Sequence, residues 1–527
     1  MKEKSAYKVL ITTSGTGSRL GDITKYTNKS LVKIGKKPVI SYIIEAYPKN
    51  IEFVITIGYF ADHVRDFLSL VYPDRKFEFV EVGKYEGPGT SLGYSMLQAE
   101  SLLQCPFIYH ACDTIVIGKI PTPRRNWIGG FRGEGSSHYA SFDVYDGQVV
   151  QQMYDKGTID PDFLHIGLIG ISGYADFWKS LRKMYKRNPN DSALGDVYAI
   201  RDMIESGVSF QAVEFKKWYD IGNVESLHWA RTDISDSFHI LDKVDESIFI
   251  FEKFVVKFFA EKRNVTERVE RAKVLGKLVP RIEGQKENFY QYRYVNGDLY
   301  SDVAAPENFK EFLNWSKKNL WKKEDEVSRK RFKEICHDFY VTKTEERIKT
   351  FMTSRSVKDG KSVINGEDVP SVRDILKKVN FDWLCNAEQS HFHGDFILDN
   401  IIRTKTGFSL LDWRQNFGGL LRSGDMYYDF AKLNHNLTVN HSIVNKNLFT
   451  IDIDREEIAC DILRKENLVQ CQKILLDFLD RNEYDRKKVM VLTAIIWLNM
   501  SPLHHHPFDL FLFYFGKLNL WRALNEE

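Results

Sequence analysis

The stretch YKVLITTSGTGSRLG, residues 7–21, decides the fold of the first half of the chain. Its apolar beginning predicts a strand that runs directly into a loop containing Gly15 and Gly17. Glycines after a first strand let backbone N–H groups approach a phosphate closely, and Arg19 adds a fixed positive charge. The glycines alone would suit a tightly packed turn equally well. The residues that follow decide between a phosphate loop and such a turn.

Short apolar strands alternate with helical segments from residue 8 to about residue 230. After YKVLITT the chain continues through VISYIIEAY, EFVITIGY, HVRDFLSLVY and FEFVEV. This β-α-β-α-β order predicts a Rossmann-like α/β domain, with a mixed, mostly parallel sheet and helices on both faces. A dinucleotide-binding domain would also have an acid about twenty residues after the glycines. The chain has Lys29 in that region, which is placed to meet a triphosphate.

The segment SGTGSRLGDITKYTNKSLVKIGKKPVISYII, residues 14–44, resembles the signature of the sugar-phosphate and phosphocholine nucleotidyltransferases. The resemblance implies that Gly15, Gly17, Arg19 and Lys29 hold the triphosphate of the nucleotide, and that Arg19 and Lys29 are also catalytic. In that family the lysine stabilises charge on the phosphates as pyrophosphate leaves. Asn28 stands where many sugar enzymes of the family have proline, which the phosphocholine branch also lacks.

Later features follow in the order that this family has. Asp113, at the end of PFIYHACD, and Asp220, in WYDIGNVES, match its two metal-binding aspartates. Two carboxylates on separate strand ends are suited to hold Mg²⁺ against the phosphates of a nucleotidyl transfer. Lys156 resembles the lysine that binds the phosphate of the acceptor. The loop that reads the nucleobase is matched by Gly87, Gly89 and Thr90, although these residues would also suit a plain turn.

A second motif lies in the other half of the chain, where HGDFILDN at residues 393–400 is followed by LLDW at residues 410–413. Phosphoryl transfer needs a carboxylate that orients the attacking hydroxyl, and it needs ligands for Mg²⁺. The motif resembles that of the aminoglycoside phosphotransferase and choline kinase family. The resemblance implies that Asp395 is the catalytic base and that Asn400 and Asp412 bind Mg²⁺. Asp425 and Asp429, in GDMYYDFAKL, are then structural.

The small lobe of such a kinase-like domain is less well defined by the sequence. Lys257 lies in an alternating apolar strand and is predicted to bind the ATP phosphates, with Lys253 as an alternative. Glu270 is the best helical partner for this lysine, and Glu267 is its rival. Ser237 and Phe238 occupy the place of a glycine-rich loop. A plain surface position for Lys257 stays open.

These observations predict two domains. Residues 1–232 form the nucleotidyltransferase domain, and residues 233–527 form a bilobal, protein-kinase-like α+β domain. Its small lobe covers about 236–300 and its helical lobe about 301–527. The chain is too long for one hydrophobic core, which agrees with this division.

Composition restricts the partners and the compartment. The net charge of +2 gives no reason to expect nucleic acid or anionic lipid as a partner. The cysteines have no CxxC spacing and suggest a reduced, cytoplasmic protein. The apolar segment near the C-terminus is too interrupted to span a membrane and predicts a buried helix. Small molecules are therefore the expected partners, and homo-oligomerisation stays open.

His504, His505 and His506 are predicted to line a pocket or end a helix, because adjacent histidines cannot all face one metal ion.

A kinase makes a phosphomonoester, and a nucleotidyltransferase consumes one. The pair predicts an ATP-dependent kinase step followed by nucleotidyl transfer from an NTP, with Mg²⁺ in both sites. CTP is slightly favoured, and an amino alcohol such as choline, a polyol or a sugar all remain candidates for the acceptor. By resemblance, the product is an activated precursor for the decoration of a surface polysaccharide or lipid. The alternatives are a nucleotide-sugar pyrophosphorylase fused to a sugar kinase, and a regulatory protein with one inactive lobe.

Overall fold

The computed structural model describes residues 7–134, 137–234 and 244–526. By their internal contacts these residues divide into two compact units. The first unit runs to Lys262 and also contains Gly284–Gln291, and the second contains Arg263–Glu283 and continues from Tyr292. The segment predicted as a kinase small lobe, residues 236–300, is thus shared between the units. The domain boundary at 232/233 stays a prediction, and Ser237 and Phe238 lie outside the described residues.

The first unit alternates strands and helices, as its sequence predicts. Its helices are α1 (Val39–Glu45), α2 (Ala61–Val71), α3 (Leu92–Gln98), α4 (Tyr174–Arg187), α5 (Asp196–Glu205) and α6 (Val224–Asp233). Its strands are β1 (Lys8–Thr12), β2 (Lys33–Ile34), β3 (Lys37–Pro38), β4 (Glu52–Ile57), β5 (Lys76–Glu81), β6 (Phe107–His110), β7 (Thr114–Ile117), β8 (Trp127–Phe131), β9 (Ser141–Tyr145), β10 (Val149–Tyr154), β11 (Phe163–Ile171), β12 (Gln211–Glu214), β13 (Lys217–Asp220), β14 (Glu246–Ile250) and β15 (Phe254–Phe259).

The central sheet of this unit has nine strands in the order β5-β4-β1-β6-β11-β8-β12-β10-β9. The pairs β5–β4, β4–β1, β1–β6 and β8–β12 are parallel. Strand β11 runs antiparallel to β6, β8 and β9, and a short connection joins β9 to its antiparallel partner β10. The predicted α/β domain is therefore confirmed. Three of the four parallel pairs lie on the side that contains β1, where α2 connects β4 to β5 and α3 connects β5 to β6.

A smaller sheet packs on the outer helix α2 of the same unit. Its strands β14 and β15 pair antiparallel. The ring of Phe67, on α2, lies 5.4 Å from that of Phe249 and 5.9 Å from that of Phe289. Burial of these rings removes apolar surface from water, which accounts for the grouping of β14 and β15 with the first unit.

The second unit is mostly helical and carries several short strand pairs. Its helices are α7 (Lys262–Leu275, whose first residue belongs to the first unit), α8 (Tyr300–Val303), α9 (Pro306–Asn319), α10 (Arg329–His337), α11 (Lys343–Arg355), α12 (Val372–Lys378), α13 (Phe381–Leu384), α14 (Met426–Thr438), α15 (His441–Val444), α16 (Glu466–Arg481), α17 (Arg486–Met500) and α18 (Phe508–Asn525). Strands β16 (Ile282–Gln285) and β17 (Phe289–Arg293) contain residues of both units. The later strands of the second unit are β18 (Asp298–Leu299), β19 (Ser362–Ile364), β20 (Glu367–Val369), β21 (Gln389–Ser390), β22 (Ile401–Thr404), β23 (Gly407–Leu410), β24 (Gly424–Asp425), β25 (Phe449–Asp454) and β26 (Glu457–Ile462).

The core of the second unit is built around α17 and α18. Leu492, Ile495, Leu512 and Leu518 are among its buried side chains. The apolar C-terminal segment therefore forms a helix that packs inside the unit. Of the helices in the described ranges, none has both the length and the apolar character that a membrane crossing requires. All six cysteines are free thiols.

Candidate functional sites

The loop after β1 is held in place by hydrogen bonds to the loops beside it. The Thr13 hydroxyl donates to the Thr56 carbonyl at 2.8 Å. The Asn28 amide donates to the Thr13 carbonyl at 2.9 Å and to the Tyr59 carbonyl at 2.6 Å, and its oxygen accepts from the Ser30 N–H at 3.0 Å. Proline could make none of these side-chain bonds. Asn28 therefore fixes both the loop and the turn that presents Lys29.

The two glycines of this loop have different surroundings. Gly17 adopts φ +67°, and a Cβ there would lie 3.1 Å from the Lys29 Cβ. A side chain at Gly17 would thus be strained and would push against the lysine. A Cβ at Gly15 would meet nothing within 4 Å, so packing does not require glycine there. Open space at Gly15 is what a backbone that receives a phosphate needs.

Lys29 forms an ion pair with Asp113 in the interior of this site. Burial alone would raise the pKa of Asp113, but the nearby charge of Lys29 and its hydrogen bond outweigh that effect and lower it. Burial likewise opposes the charge on Lys29, yet Asp113 holds the pKa of the lysine above its ordinary value. Both groups are therefore charged at neutral pH.

Asp220 lies beside Asp113 because of strand pairing. Strands β7 and β13 are antiparallel, with Asp220 opposite Thr114, and the Ile221 N–H donates to the Asp113 carbonyl at 2.9 Å. Burial raises the pKa of Asp220, and the negative charge of Asp113 raises it further. The Tyr139 hydroxyl donates to Asp220 Oδ2 at 2.9 Å and opposes this rise. No sequence pattern pointed to Tyr139, since it is distant from every motif.

Arg19 completes the group, because its Nη2 lies 3.4 Å from the place that a Cβ on Gly222 would take. The Gly222 N–H in turn donates to Asp220 Oδ1 at 2.9 Å. Two neighbouring carboxylates with two cations can hold both a divalent cation and the phosphates that it binds. Lys29, Asp113, Asp220 and Arg19 are thus brought together, as predicted from residues far apart in the chain.

The other predicted residues of this half lie in turns. Gly87 and Gly89 have φ values of +85° and +83°, and the Thr90 hydroxyl donates to the Gly87 carbonyl at 2.7 Å. Lys156 is exposed in the turn after β10. In the described ranges, no hydrogen bond or ion pair joins Lys156 to the two aspartates. Base reading by the glycine loop and phosphate binding by Lys156 stay predictions.

In the second unit, Asp429 holds the loop that begins at His393. Its carboxylate accepts the N–H groups of His393 and Gly394, each at 2.7 Å, and the indole N–H of Trp321 at 3.1 Å. Burial raises the pKa of Asp429 to about 6. Asp429 thus has the surroundings of a structural carboxylate, the role expected for it from the sequence.

Asp395 lies in this loop with two polar partners. Lys432 Nζ is 2.7 Å from its Oδ1, and the Asn400 amide donates to its Oδ2 at 3.0 Å. Burial would raise the pKa of Asp395, but the charge of Lys432 outweighs it, and the pKa lies well below its usual range. Lys432, on α14, follows the GDMYYDFA segment and was not predicted. Lys432 lies one helical turn after Tyr428, but this spacing does not reveal its contact with Asp395 unless the fold of the loop is known.

Asp412 follows β23 in the left-handed region, with φ +52°. Arg268, on α7, pairs with its Oδ1 at 2.5 Å and also donates to the Trp413 carbonyl at 2.6 Å. The Leu411 N–H donates to the Asn400 carbonyl at 2.7 Å, which connects the two predicted metal ligands through the backbone. A carboxylate and an amide oxygen suit Mg²⁺, so these residues fit the ion that the sequence predicts.

The predicted nucleotide-binding pair belongs to different units. Lys257, in β15 of the first unit, is 1% exposed, which excludes the alternative of a plain surface lysine. Glu270, on α7 of the second unit, is exposed and pairs with Lys273 at 2.6 Å. Its rival Glu267 is buried and accepts hydrogen bonds from Arg263 and Asn416. The role of these residues in ATP binding stays a prediction.

The three consecutive histidines lie just before α18. His504 packs on Phe508 at 5.1 Å, and burial with neighbouring positive charge lowers its pKa to about 4. His506 is exposed and lies 3.5 Å from Asp509. Trp497 donates to His435 Nδ1 at 2.7 Å. The histidines therefore occupy a helix end, and a role in substrate binding stays a prediction.

In comparisons with known proteins, the N-terminal half resembles the sugar-phosphate and phosphocholine nucleotidyltransferases. No family model matches the chain. Among curated proteins, the chain is 22% identical over 223 residues to the bifunctional protein GlmU of Methanococcus vannielii. The alignment covers 40% of this chain and 51% of that protein, so the chain spans about half the length of this curated relative.

Three solved structures also align with the chain. The CTP:phosphocholine cytidylyltransferase LicC of Streptococcus pneumoniae is 20% identical, with a TM-score of 0.38, over 44% of this chain and 100% of that chain. A UDP-glucose pyrophosphorylase complexed with UDP-glucose is 20% identical, with a TM-score of 0.37, over 44% and 98%. The inositol-1-phosphate CTP transferase of T. maritima is 12% identical, with a TM-score of 0.36, over 45% and 100%.

Proposed function

We propose that the first unit transfers a nucleoside monophosphate from an NTP to a phosphomonoester. A phosphate oxygen of the acceptor attacks the α-phosphorus, the bond to the β-phosphate breaks, and pyrophosphate leaves. The observation that carries this proposal is the neighbouring pair of carboxylates, Asp113 and Asp220, together with the ion pair between Lys29 and Asp113. Sequence similarity to GlmU supports it.

Each side chain has a role in that reaction. Asp113 and Asp220 would hold Mg²⁺, which neutralises charge on the phosphates when bound. Lys29 and Arg19 bind phosphate oxygens and stabilise the charge that develops as pyrophosphate leaves. Tyr139 positions Asp220 through its hydroxyl. Open space at Gly15 leaves room for the triphosphate beside the backbone.

We propose that the second unit is a small-molecule kinase. Asp395 accepts the proton of the acceptor hydroxyl as its oxygen attacks the γ-phosphorus of ATP, and ADP leaves. Asn400 and Asp412 would hold Mg²⁺, and Lys432 sets the charge state of Asp395. Its low pKa keeps this carboxylate ionised, so it orients the hydroxyl and receives the proton late in the step.

The two units then catalyse consecutive steps, with the kinase product as the acceptor for nucleotidyl transfer. CTP is the slightly favoured NTP, and both reactions take place in the cytoplasm. The product is an activated precursor for the decoration of a surface polysaccharide or lipid. Amino alcohols such as choline, polyols and sugars are the candidates for the first acceptor. A pyrophosphorylase fused to a sugar kinase with an unrelated substrate is the competing proposal.

The test uses the full-length chain with ATP, Mg²⁺, one of CTP, UTP or dTTP, and a series of alcohols and sugars, with product mass as the readout. Asp395→Ala is expected to abolish the product from the free alcohol but not from the supplied phosphomonoester. Asp113→Asn is expected to stop both. Asp74→Asn and Asp452→Asn change exposed aspartates in the same way and serve as controls. Failure of every NTP with every phosphomonoester would refute the assignment of the first unit.

A further inference from the structure

A group of cationic side chains lies near the loop of Asp395, and the phosphotransfer motif does not explain it. Lys343 and Arg347 lie one turn apart on α11, and Arg414 follows the LLDW segment. Lys343 Nζ is 4.4 Å from the centre of the Phe339 ring, and the guanidinium carbon of Arg414 is 4.9 Å from the same centre. Two cationic groups therefore lie over one aromatic ring. We call Lys343, Arg347 and Arg414 the cationic cluster.

Arg414 connects this cluster to the loop of the proposed base. Its N–H donates to the His393 carbonyl at 3.0 Å. Gly394 adopts φ +87°, and a Cβ on it would lie only 2.6 Å from the Arg414 Cβ. Arg414 is thus packed on the backbone immediately before Asp395, which places the cluster next to the reacting group.

A second route joins the cluster to the same base through α14. The Phe339 ring packs edge-on against Tyr428 with centres 5.1 Å apart. Lys432 lies one turn further along α14, where its Nζ is 2.7 Å from Asp395 Oδ1. Phe339 itself belongs to a π-helical turn, Asp338–Thr342, that precedes α11. Such turns are frequent at functional sites.

The cluster has no acidic partner of its own in the part of the chain that the structure describes. Arg414 Nε donates to the Asn416 carbonyl at 3.1 Å, and Arg347 donates to the Asn499 carbonyl at 3.0 Å. None of the ion pairs found among these residues includes Lys343, Arg347 or Arg414. Burial, followed by the positive charges of Arg414, Arg347 and Lys432, lowers the pKa of Lys343 to about 7. Gathering partly buried cations without an acid costs free energy, which a bound anion would offset.

We propose that the acceptor of the second unit carries an oxyanion, a carboxylate or a phosphate, which the cationic cluster binds while the acceptor hydroxyl faces Asp395. The inference rests on the proposed kinase function and narrows its substrate class to acidic hydroxylated metabolites. Choline fits poorly, because its quaternary ammonium would need an aromatic face free of cations. Lys343 and Arg414 already lie over the Phe339 ring.

Binding to the full-length chain tests the site without catalysis. D-glycerate carries a carboxylate where glycerol carries a hydroxymethyl group, and choline carries a quaternary ammonium, so these three are titrated calorimetrically. D-glycerate is expected to bind most tightly, and Lys343→Gln is expected to weaken it about tenfold through loss of one charge-assisted contact. Lys349→Gln, an exposed lysine on the same helix, makes the same change in net charge and should have no effect. Equal binding by both variants would overturn the inference.

A phosphate arm separates the two oxyanion sources. sn-Glycerol 3-phosphate is titrated in the Lys156→Met background, because the first unit is proposed to bind phosphomonoesters too, and Lys156 is the residue predicted to bind their phosphate there. Tighter binding than D-glycerate, lost on Lys343→Gln, identifies a phosphate site, and the reverse order identifies a carboxylate site. Glycerol or choline binding as tightly as both oxyanions would refute the proposal.

Kinetics then assign the cluster to the acceptor rather than to ATP. D-glycerate with glycerol, and D-glucuronate with glucose, are compared as substrates for ATP consumption. Lys343→Gln should raise the KM for the acidic acceptor about tenfold and leave the KM for ATP unchanged. A raised KM for ATP alone would show that the cluster binds the nucleotide. If no acceptor supports ATP consumption while the specific oxyanion binding persists, the kinase assignment fails and the oxyanion site stands.

Discussion

The two sites share one arrangement, a lysine that pairs with a partly buried aspartate, yet they differ in the side chains beside that pair. Lys29 pairs with Asp113, and Lys432 pairs with Asp395. In each pair burial would raise the pKa of the carboxyl, and the lysine lowers it instead. Each aspartate is therefore charged before any ligand binds. The lysine is a common solution to the cost of burying a carboxylate.

The neighbours of the two pairs explain how the same kind of ion pair would serve the two proposed chemistries. Asp113 has a second carboxylate beside it, Asp220, which strand pairing places there and whose pKa is raised. Asp395 has the Asn400 amide, which donates a hydrogen bond to it. Two carboxylates side by side favour a divalent cation. A single carboxylate held by donors is better suited to orient a hydroxyl and to take its proton.

The largest expected effect on this comparison is the loss of activity on substitution of Asp395. Asp395→Asn keeps the shape but removes the base and the partner of Lys432, so we expect ATP consumption to fall by about 10²–10⁴-fold. Nucleotidyl transfer to a supplied phosphomonoester should not change. Coupled measurement of ADP and pyrophosphate release checks both activities, with Asp452→Asn as the control. Retention of ADP release would contradict the assignment of Asp395 as the base.

Lys29→Met is the matching change in the first unit. It removes the positive charge that is proposed to stabilise the leaving pyrophosphate, so kcat for nucleotidyl transfer should fall by about 10²–10³-fold. ATP consumption by the second unit should stay at the wild-type level. Lys25→Met, at an exposed lysine close in sequence, provides the control. A loss seen only in KM would indicate that Lys29 binds the ground state and does not stabilise the transition state.

The sequence was sufficient for those residues whose spacing is fixed by local structure. The β-α-β order predicted the α/β domain. Asp113 and Asp220 were found by their match to the two aspartates of the family signature, and the pairing of β7 with β13 brings them together. The extra antiparallel strands were less visible, because hairpins and crossovers bury similar apolar runs. Tyr139 and Lys432 were missed for a physical reason. Each reaches its aspartate through the tertiary fold, and no motif spacing records that contact.

Tyr139→Phe sharpens the difference between the two aspartates of the first site. The Tyr139 hydroxyl stabilises the ionised form of Asp220, so its removal raises the pKa of Asp220 further. The acidic limb of the pH profile of nucleotidyl transfer should therefore move to higher pH. Activity near neutrality should fall about tenfold, as is typical for loss of a residue that positions a metal ligand. Tyr145→Phe, at an exposed tyrosine, is the control, and an unmoved acidic limb would contradict the role of Tyr139.

The smallest expected effect is on stability. It tests whether Lys343 of the cationic cluster has a lowered pKa, unlike Lys29 and Lys432, which are paired with aspartates. The pKa of Lys343 falls to about 7 in the folded chain, through burial and the charges of Arg414, Arg347 and Lys432, whereas an unfolded lysine titrates near 10.4. Between these values the unfolded chain binds more protons, so this residue makes folding more favourable as pH rises from about 7 to 10 and imposes its full cost below 7.

Lys343→Gln removes that cost, so the variant should gain stability relative to wild type at pH 6 and lose the advantage by pH 10. We expect the difference in Tm between the two proteins to be about 2 °C larger at pH 6 than at pH 10. Thermal unfolding of the full-length chain at both values measures it, with Lys349→Gln as the control. Lys432 behaves oppositely, because Asp395 raises its pKa. A difference in Tm that is constant with pH would show that Lys343 is paired and solvated like an ordinary surface lysine.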